Sequence, residues 1–441
     1  MPYNEILALA CIGSFFVLLF VGVPVALTLA ISGFVFGWLG FGTGLFNLLP
    51  ARIYGVTANY TLIAIPLFVF MGVMLEKSRM ADELMEVIGY LAGGLRGGMG
   101  LGIVLVGMLM GATTGIVGAT IVTLGLLTLP TLLKRGYDTR LSCGAICASG
   151  TLGQLIPPST ILILLADIMG QSVGTLFAAA VFPGLLLTGI LGAYILLVGV
   201  FKPDMVPPIP LAERQALPRR ELWMKTLKVG LPPVALVLAV LGSIIGGVAA
   251  PTEAASMGAV GSILVAAVAG RLSMKTLVDV VNSTARITAM MFFILICSQV
   301  FALSFRGLGG ERLVHDAFAM VPGGATGMLL FMLAIIFVLG FFIEWIEISY
   351  IVVPMFLPLM LADGVNVVWA ASLIAVVLQT SFLTPPFGWA LFYLRGVAPP
   401  EVSTLDIYKG VVPFIALQLI ALALVFSFPG IATWLPTAIG W

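Results

Sequence analysis

The chain has 441 residues, 61% of them hydrophobic and only 9% charged, with 20 Lys and Arg against 19 Asp and Glu. Soluble domains carry roughly 25% charged residues, so a surface this poor in charge is excluded from facing water throughout and must face lipid. The net charge of +1, with no basic cluster beyond what loop topology needs, argues against nucleic acid as a partner.

In chain order, no Asp, Glu, Lys or Arg occurs from Ile6 to Ala51, Gly97 to Leu133, Val229 to Thr252, Val365 to Leu394 or Gly410 to Trp441. A membrane-spanning helix needs about 20 apolar residues, so several of these runs hold more than one pass. The first run follows only Met1 to Glu5, lacks a basic leader and far exceeds a signal peptide's apolar core. It is expected to remain as a transmembrane segment. The 51 Gly and 26 Pro suit membrane helices whose neighbours satisfy freed backbone groups. Dyad alternation, the mark of a β-barrel, is missing from runs such as Ile161 to Leu165. The prediction is an all-α polytopic membrane protein of roughly ten to twelve segments. The four cysteines, all in apolar segments, read as small core residues.

One stretch looks soluble. Lys202 to Lys228 holds six Lys/Arg and three acids, and the positive-inside rule places it in the cytoplasm. It divides the chain into a first membrane repeat, 1–201, a linker, 202–228, and a second membrane repeat, 229–441. The halves share punctuation. Leu129-Pro130, Gly136, Asp138 and Pro157-Pro158 recur 228 residues later as Leu357-Pro358, Gly364, Asn366 and Pro385-Pro386. Gly98-Met99 and Gly111 recur as Gly327-Met328 and Gly340. Such duplication in transporters is often inverted about the membrane plane, with ligands bound where the repeats meet.

Each repeat carries two interruptions. The run 98–134 is broken near Gly111–Thr120 and is short for two full passes, so a re-entrant helical hairpin is expected there and at 327–361. A broken helix is expected at about 141–168, where Gln154 is followed by Pro157, Pro158 and Ser159, and at about 366–395, where Thr384, Pro385 and Pro386 stand. Adjacent prolines remove two donors and end the preceding helix. Unwound backbone at membrane depth is tolerated only inside protein or beside a water-filled cavity.

A hairpin tip against a broken helix gathers hydroxyls, carbonyls and helix ends, a donor set that suits a hard cation such as sodium. One candidate site is Thr113, Thr114 and Gly115 with Ser149, Gly150 and Thr151; its counterpart is Gln379, Thr380 and Ser381 with Glu344. The alternative is that these hydroxyls satisfy their own helices or let helices pack closely. Glu344 and Glu347 are the only acids between Ala317 and Ala362. They share a helical face, and intramembrane carboxylates mark functional sites by default. A water-exposed loop would also explain them. Glu347 and Ser349, with Gln154, Pro157, Pro158, Ser159, Thr384, Pro385 and Pro386, form the candidate substrate region. Glu253, opening an apolar helix, reads as a helix-dipole acid. With one histidine, no His-Glu-x-x-His motif and no phosphate-binding Gly-x-x-x-x-Gly-Lys loop, the chain is expected to be no enzyme, to need no organic cofactor and to draw on an ion gradient.

Several motifs carry a family resemblance: Ile65-Pro66-Leu67-Phe68 with Gly72, Gly111–Thr120, Lys134–Asp138, Gly153–Ser159, Ala250–Ala255 and Phe342–Glu347. Along nearly its whole length the chain resembles the large membrane subunit of tripartite ATP-independent periplasmic (TRAP) transporters. The resemblance implies an elevator-type fold with a scaffold and a transport domain in the bacterial inner membrane. It also implies sodium coupling and uptake of a small organic acid, with a four-helix small membrane subunit and a periplasmic substrate-binding protein as partners. Because the chain opens directly on the large-subunit pattern, the small subunit is expected to be a separate polypeptide. Many relatives have a Ser-rich first hairpin tip, where this chain has Thr113, Thr114, Gly115 and Ile116. The alternatives are a stand-alone sodium–dicarboxylate symporter, whose relatives carry a Ser-Asn-Thr triplet absent from both tips here, and an ion channel.

Overall fold

The computed structural model describes residues 3–78, 80–210, 219–319 and 321–441, and all regular structure among them is helical. Five helices open the chain: α1 (Tyr3–Phe20), α2 (Val25–Phe41), α3 (Gly44–Thr57), α4 (Ala64–Lys77) and α5 (Met80–Ala92). Then come α6 (Gly98–Thr114), α7 (Val117–Lys134), α8 (Thr139–Thr151), α9 (Thr160–Ile168) and α10 (Val173–Phe201). Beyond the linker follow α11 (Arg219–Ile245), α12 (Pro251–Val268), α13 (Met274–Gly307), α14 (Gly310–Ala319), α15 (Gly324–Leu339) and α16 (Trp345–Ala362). The last are α17 (Val367–Leu383), α18 (Trp389–Val397), α19 (Thr404–Ser427) and α20 (Gly430–Ala438). Of the linker's charges, Glu213 and Arg214 lie outside the described residues.

Among the described residues eight helices are long and apolar enough to cross a membrane: α1, α7, α10, α11, α12, α13, α16 and α19. The pair α3–α4, bent by 52°, makes a ninth. This is fewer than the ten to twelve expected from composition. The difference lies in α2, α6, α15 and α17, which are apolar but at most 17 residues long. Breaks at 115–116, 155–159, 340–344 and 384–388 cut long apolar runs into short helices.

Local sequence explains the boundaries around those breaks. The Asp138 carboxylate accepts from the Leu141 amide at 2.8 Å, and the Asn366 carbonyl accepts from the Trp369 amide at 3.0 Å. The two broken segments thus begin with the same N-cap at matched positions, worth about 0.5–2 kcal/mol each. Glu253 folds back to accept from the Ala250 amide at 2.9 Å, closing the start of α12. Both Pro-Pro bonds, 157–158 and 385–386, are cis.

Packing sorts the helices into two groups that meet where α4 packs on α6 and α13 packs on α16. In the first, α1 to α4 pack against α12 and α13. Here glycines allow near contact: Gly33 lies against the Phe301 backbone, and Ser304 donates to the Gly33 carbonyl at 2.7 Å. In the second group α8 is sheathed by α6, α7 and α19, and Gly144 rests on the Gly410 carbonyl. Large apolar side chains such as Val17, Trp38, Leu238, Val260 and Phe293 are exposed on the outside, as a lipid-facing surface requires.

Candidate functional site

The site grows from contacts between hairpins and helix breaks. Gly115 ends α6 in the left-handed region at φ 61°, a conformation favoured by glycine, and Ile116 turns the chain directly into α7. This two-residue tip lies against the first break. Gly111 faces Gly153 so closely that a Cβ at 111 would come 2.4 Å from the Gly153 Cα, and Gly107 meets Ser149 in the same way. The Thr160 hydroxyl, opening α9, donates to the Gly115 carbonyl at 3.4 Å. The second tip is longer, from Gly340 to Glu344. Gly340 meets Ser381 as Gly111 meets Gly153: a Cβ there would lie 2.0 Å from the Ser381 Oγ.

The second arms of the hairpins cross over. Gly118 and Gly125 of α7 pack on Tyr393 and Leu394 of α18, while α16 packs on α9 through the Tyr350 hydroxyl, which donates to Asp167 at 3.2 Å. Each hairpin therefore touches the first half of one broken helix and the second half of the other.

At the centre the breaks meet. The Gln379 Nε2 donates to the Thr151 Oγ1 at 3.3 Å, across 228 residues of sequence, and the Gln418 Nε2 of α19 donates to the same oxygen at 3.3 Å. Thr151 in turn donates to the Ala148 carbonyl at 2.9 Å. The remaining hydroxyls follow one pattern: Thr113 donates to Met110, Ser149 to Ala145, Thr380 to Val376, Ser381 to Leu378, Thr384 to Thr380 and Ser349 to Trp345, all at 2.5–2.8 Å. Ser159 donates to the Gln154 carbonyl at 2.6 Å. A carbonyl only accepts, so each hydroxyl proton is committed to backbone and its oxygen keeps lone pairs. The reading that these groups satisfy their own helices therefore describes the protons; the oxygens remain available as acceptors.

Several buried polar atoms have no partner within the described residues: both amide atoms of Gln154, the Oε1 atoms of Gln379 and Gln418, and one Glu347 oxygen. Gly150 abuts Ile121, and Glu344 stands at the N-cap position of α16 without a side-chain capping bond, with Glu347 in the first turn, where the helix dipole favours acids. The structure thus sets Gly115, Ser149 and Gly150 in contacts between the first hairpin and the first broken helix, joins Thr151 to Gln379, and seats Ser381 against the second tip, along one seam. Thr113 and Thr380 bond within their own helices, and the Thr114 side chain lies outside the described residues. Pro157, Pro158, Pro385 and Pro386 line the two breaks beside it.

Two features escaped the sequence reading. Gln418 is fully buried, and its signal was its place as a polar residue inside an uncharged run. Asp167, the only charged residue between Arg140 and Lys202, is held by the Asn59 amide from the α3–α4 bend as well as by Tyr350.

Comparison with known proteins agrees with this architecture. A family model described as tripartite ATP-independent periplasmic transporter, DctM component, matches residues 12–431. The chain is 31% identical over 398 residues to the C4-dicarboxylate TRAP transporter large permease protein DctM of Pseudomonas aeruginosa, covering 89% of this chain and 90% of that one. It is 27% identical over 441 residues to the DctM protein of Vibrio cholerae, covering 95% of each. Against the ectoine TRAP transporter large permease protein TeaC of Halomonas elongata, it is 29% identical over 425 residues, covering 95% and 96%. Among solved structures it is similar in fold to the YdaH transporter of Alcanivorax borkumensis, with a TM-score of 0.62 at 15% identity over 88% and 89% of the two chains. It is also similar to MtrF of Neisseria gonorrhoeae, with 0.57 at 14% over 87% and 84%. Matched along nearly its entire length, the chain belongs to the DctM family of TRAP transporter large permease components, multi-pass proteins of the bacterial inner membrane.

Proposed function

We propose that the chain is the sodium-coupled permease of a three-part importer for a small organic acid, and performs no enzymatic chemistry. Sodium binds on the seam formed by Thr113–Gly115 with Ser149–Thr151 and by Gln379–Ser381 with Glu344. The acid binds beside the two breaks, near Gln154, Pro157–Ser159, Glu347, Ser349 and Thr384–Pro386. The observation that carries this reading is the meeting of Thr151 with Gln379, flanked by buried amide oxygens without partners. Hydroxyl and amide oxygens are the ligands a hard cation takes. The matched N-caps, the matched glycine contacts and the crossed hairpin arms support two repeats related by inversion. The division into two helix groups supports an elevator, in which α6–α9 and α15–α18 move against α1–α4 with α12 and α13. Relatives named for C4-dicarboxylate and sialic acid support an organic acid. A small four-helix membrane subunit and a periplasmic binding protein complete the assembly.

The test is uptake in vesicles carrying all three components. Thr114→Ala and Ser381→Ala are each expected to raise the half-saturating sodium concentration by about tenfold, the equivalent of roughly 1.4 kcal/mol per ligand lost. Unchanged sodium dependence removes these residues from the ion sites. Uptake by the permease without its binding protein overturns the three-part reading.

A further inference from the structure

A cavity lies away from the seam, between the two helix groups. It has a volume of about 570 Å³, within the ~300–1,000 Å³ range of small-molecule sites. Arg52 of α3 and Gln299 and Arg306 of α13 line it from one side, Asp167 of α9 and Tyr350 of α16 from the other. Its charges are unevenly committed. Arg306 pairs with Glu311 at 3.4 Å, and both Asp167 oxygens accept from Asn59 and Tyr350. Arg52 and Gln299 make no hydrogen bond or ion pair among the described residues. The cavity therefore offers one guanidinium and one amide as free donors, the pair that a planar carboxylate accepts.

Its side of the membrane follows from the basic residues. Arg271, just before α13, pairs with Glu83, and the two line one cleft with Lys225 and Lys228 in the N-terminal part of α11. That end of α13 is the end of the basic linker, and Arg306 at the opposite end faces the periplasm by the positive-inside rule. We infer that this cavity is a periplasmic receiving site for a small carboxylate, held by Arg52 and Gln299 before it reaches the seam. The inference rests on the proposed direction of transport, and it makes Arg52 a binding residue outside the sodium sites.

The four native cysteines are buried, so a thiol placed in the cavity can be followed by itself. In the full chain reconstituted in nanodiscs, Ala302→Cys is labelled with an anionic and a cationic thiosulfonate, each rate normalised to that reagent's rate with a free thiol in solution. The lining sets Arg52 and Arg306 against Asp167 and Glu311, so the two reagents are expected to react at comparable normalised rates. Arg52→Gln should then shift the ratio at least about threefold toward the cationic reagent, the effect of removing one charge at several ångströms in a wet site, while Arg312→Gln, at the same end but outside the cavity lining, should leave it unchanged. Succinate at millimolar concentration should slow labelling, and choline chloride should not. A reagent ratio unmoved by Arg52→Gln, or protection that survives Arg52→Gln, overturns the assignment. Labelling needs no sodium gradient. A ratio unmoved by Arg52→Gln would therefore leave the sodium-coupling reading standing, and unchanged sodium dependence in the vesicle assay would leave the labelling result standing.

Discussion

Gly340 should not tolerate a methyl group. Its backbone is in the right-handed helical region at φ −64°, so alanine would be conformationally acceptable there and intrinsically favoured by up to about 1 kcal/mol. The contact decides otherwise. A Cβ would lie 2.0 Å from the Ser381 Oγ and 2.4 Å from its Cβ, with the next neighbour, the Ile336 carbonyl, at 3.3 Å. Overpacking of this kind costs about 1–3 kcal/mol, so Gly340→Ala should be net destabilising or should push the second tip off the break. Ser381→Gly removes both clashing atoms. The double variant Gly340→Ala/Ser381→Gly should therefore recover much of the thermal stability lost by Gly340→Ala, with a coupling of about 0.5–3 kcal/mol in the cycle. Sodium dependence should not recover with it, because the Ser381 oxygen is gone. Melting in detergent and sodium titration of uptake separate the two outcomes. A Gly340→Ala chain with unaltered melting would refute the close seating of this hairpin, and restored sodium dependence in the double variant would refute Ser381 as a ligand.

Asp138→Ala and Asn366→Ala should each destabilise the chain by about 0.5–2 kcal/mol through loss of an N-cap, read as a shift in the melting of purified protein. Tyr350→Phe removes a hydrogen bond to a carboxylate, worth about 1.5–3 kcal/mol, at the contact between α16 and α9. Hydrogen exchange at the C-terminal turn of α9 should accelerate, and exchange elsewhere should not.

The architecture was legible where the backbone itself is constrained. Gly115 and the Pro-Pro pairs mark breaks because a left-handed turn favours glycine and because prolines remove donors, and those are local facts. The matched caps at Asp138 and Asn366 were legible as punctuation at one offset, although their capping role appears only in the structure. Span count was less legible, because hydropathy sums over runs and cannot see that α15 and α17 stop short of a full crossing. The central node was half legible. Thr151 and Gln379 stood out from their place beside the breaks, whereas Gln418 showed only as a polar residue in an uncharged run, and its partner Thr151 lies 267 residues away. Asp167 was missed although it stands as an isolated acid in the sequence, and its partners Asn59 and Tyr350 come from elements 108 and 183 residues away.

The direction of the hydroxyl hydrogen bonds bears on coupling. Along the seam Thr113, Ser149, Thr380 and Ser381 all commit their protons to backbone carbonyls, and their oxygens keep lone pairs. The orphaned Oε1 atoms of Gln379 and Gln418 add further acceptors. A carboxylate entering such a lining meets acceptors with an acceptor and is disfavoured, whereas a cation is served well. On the proposed reading sodium must therefore bind first, converting an acceptor-rich surface into one that holds an anion, and this order makes substrate affinity depend on sodium. The expected result is that substrate binding to the permease, measured by calorimetry or scintillation proximity, weakens at least about tenfold when sodium is replaced by choline, with sodium binding itself persisting in the absence of substrate. By thermodynamic reciprocity the substrate must then strengthen sodium binding by the same factor. Equal substrate affinity with and without sodium would show that the lining's donors, not its ions, hold the acid.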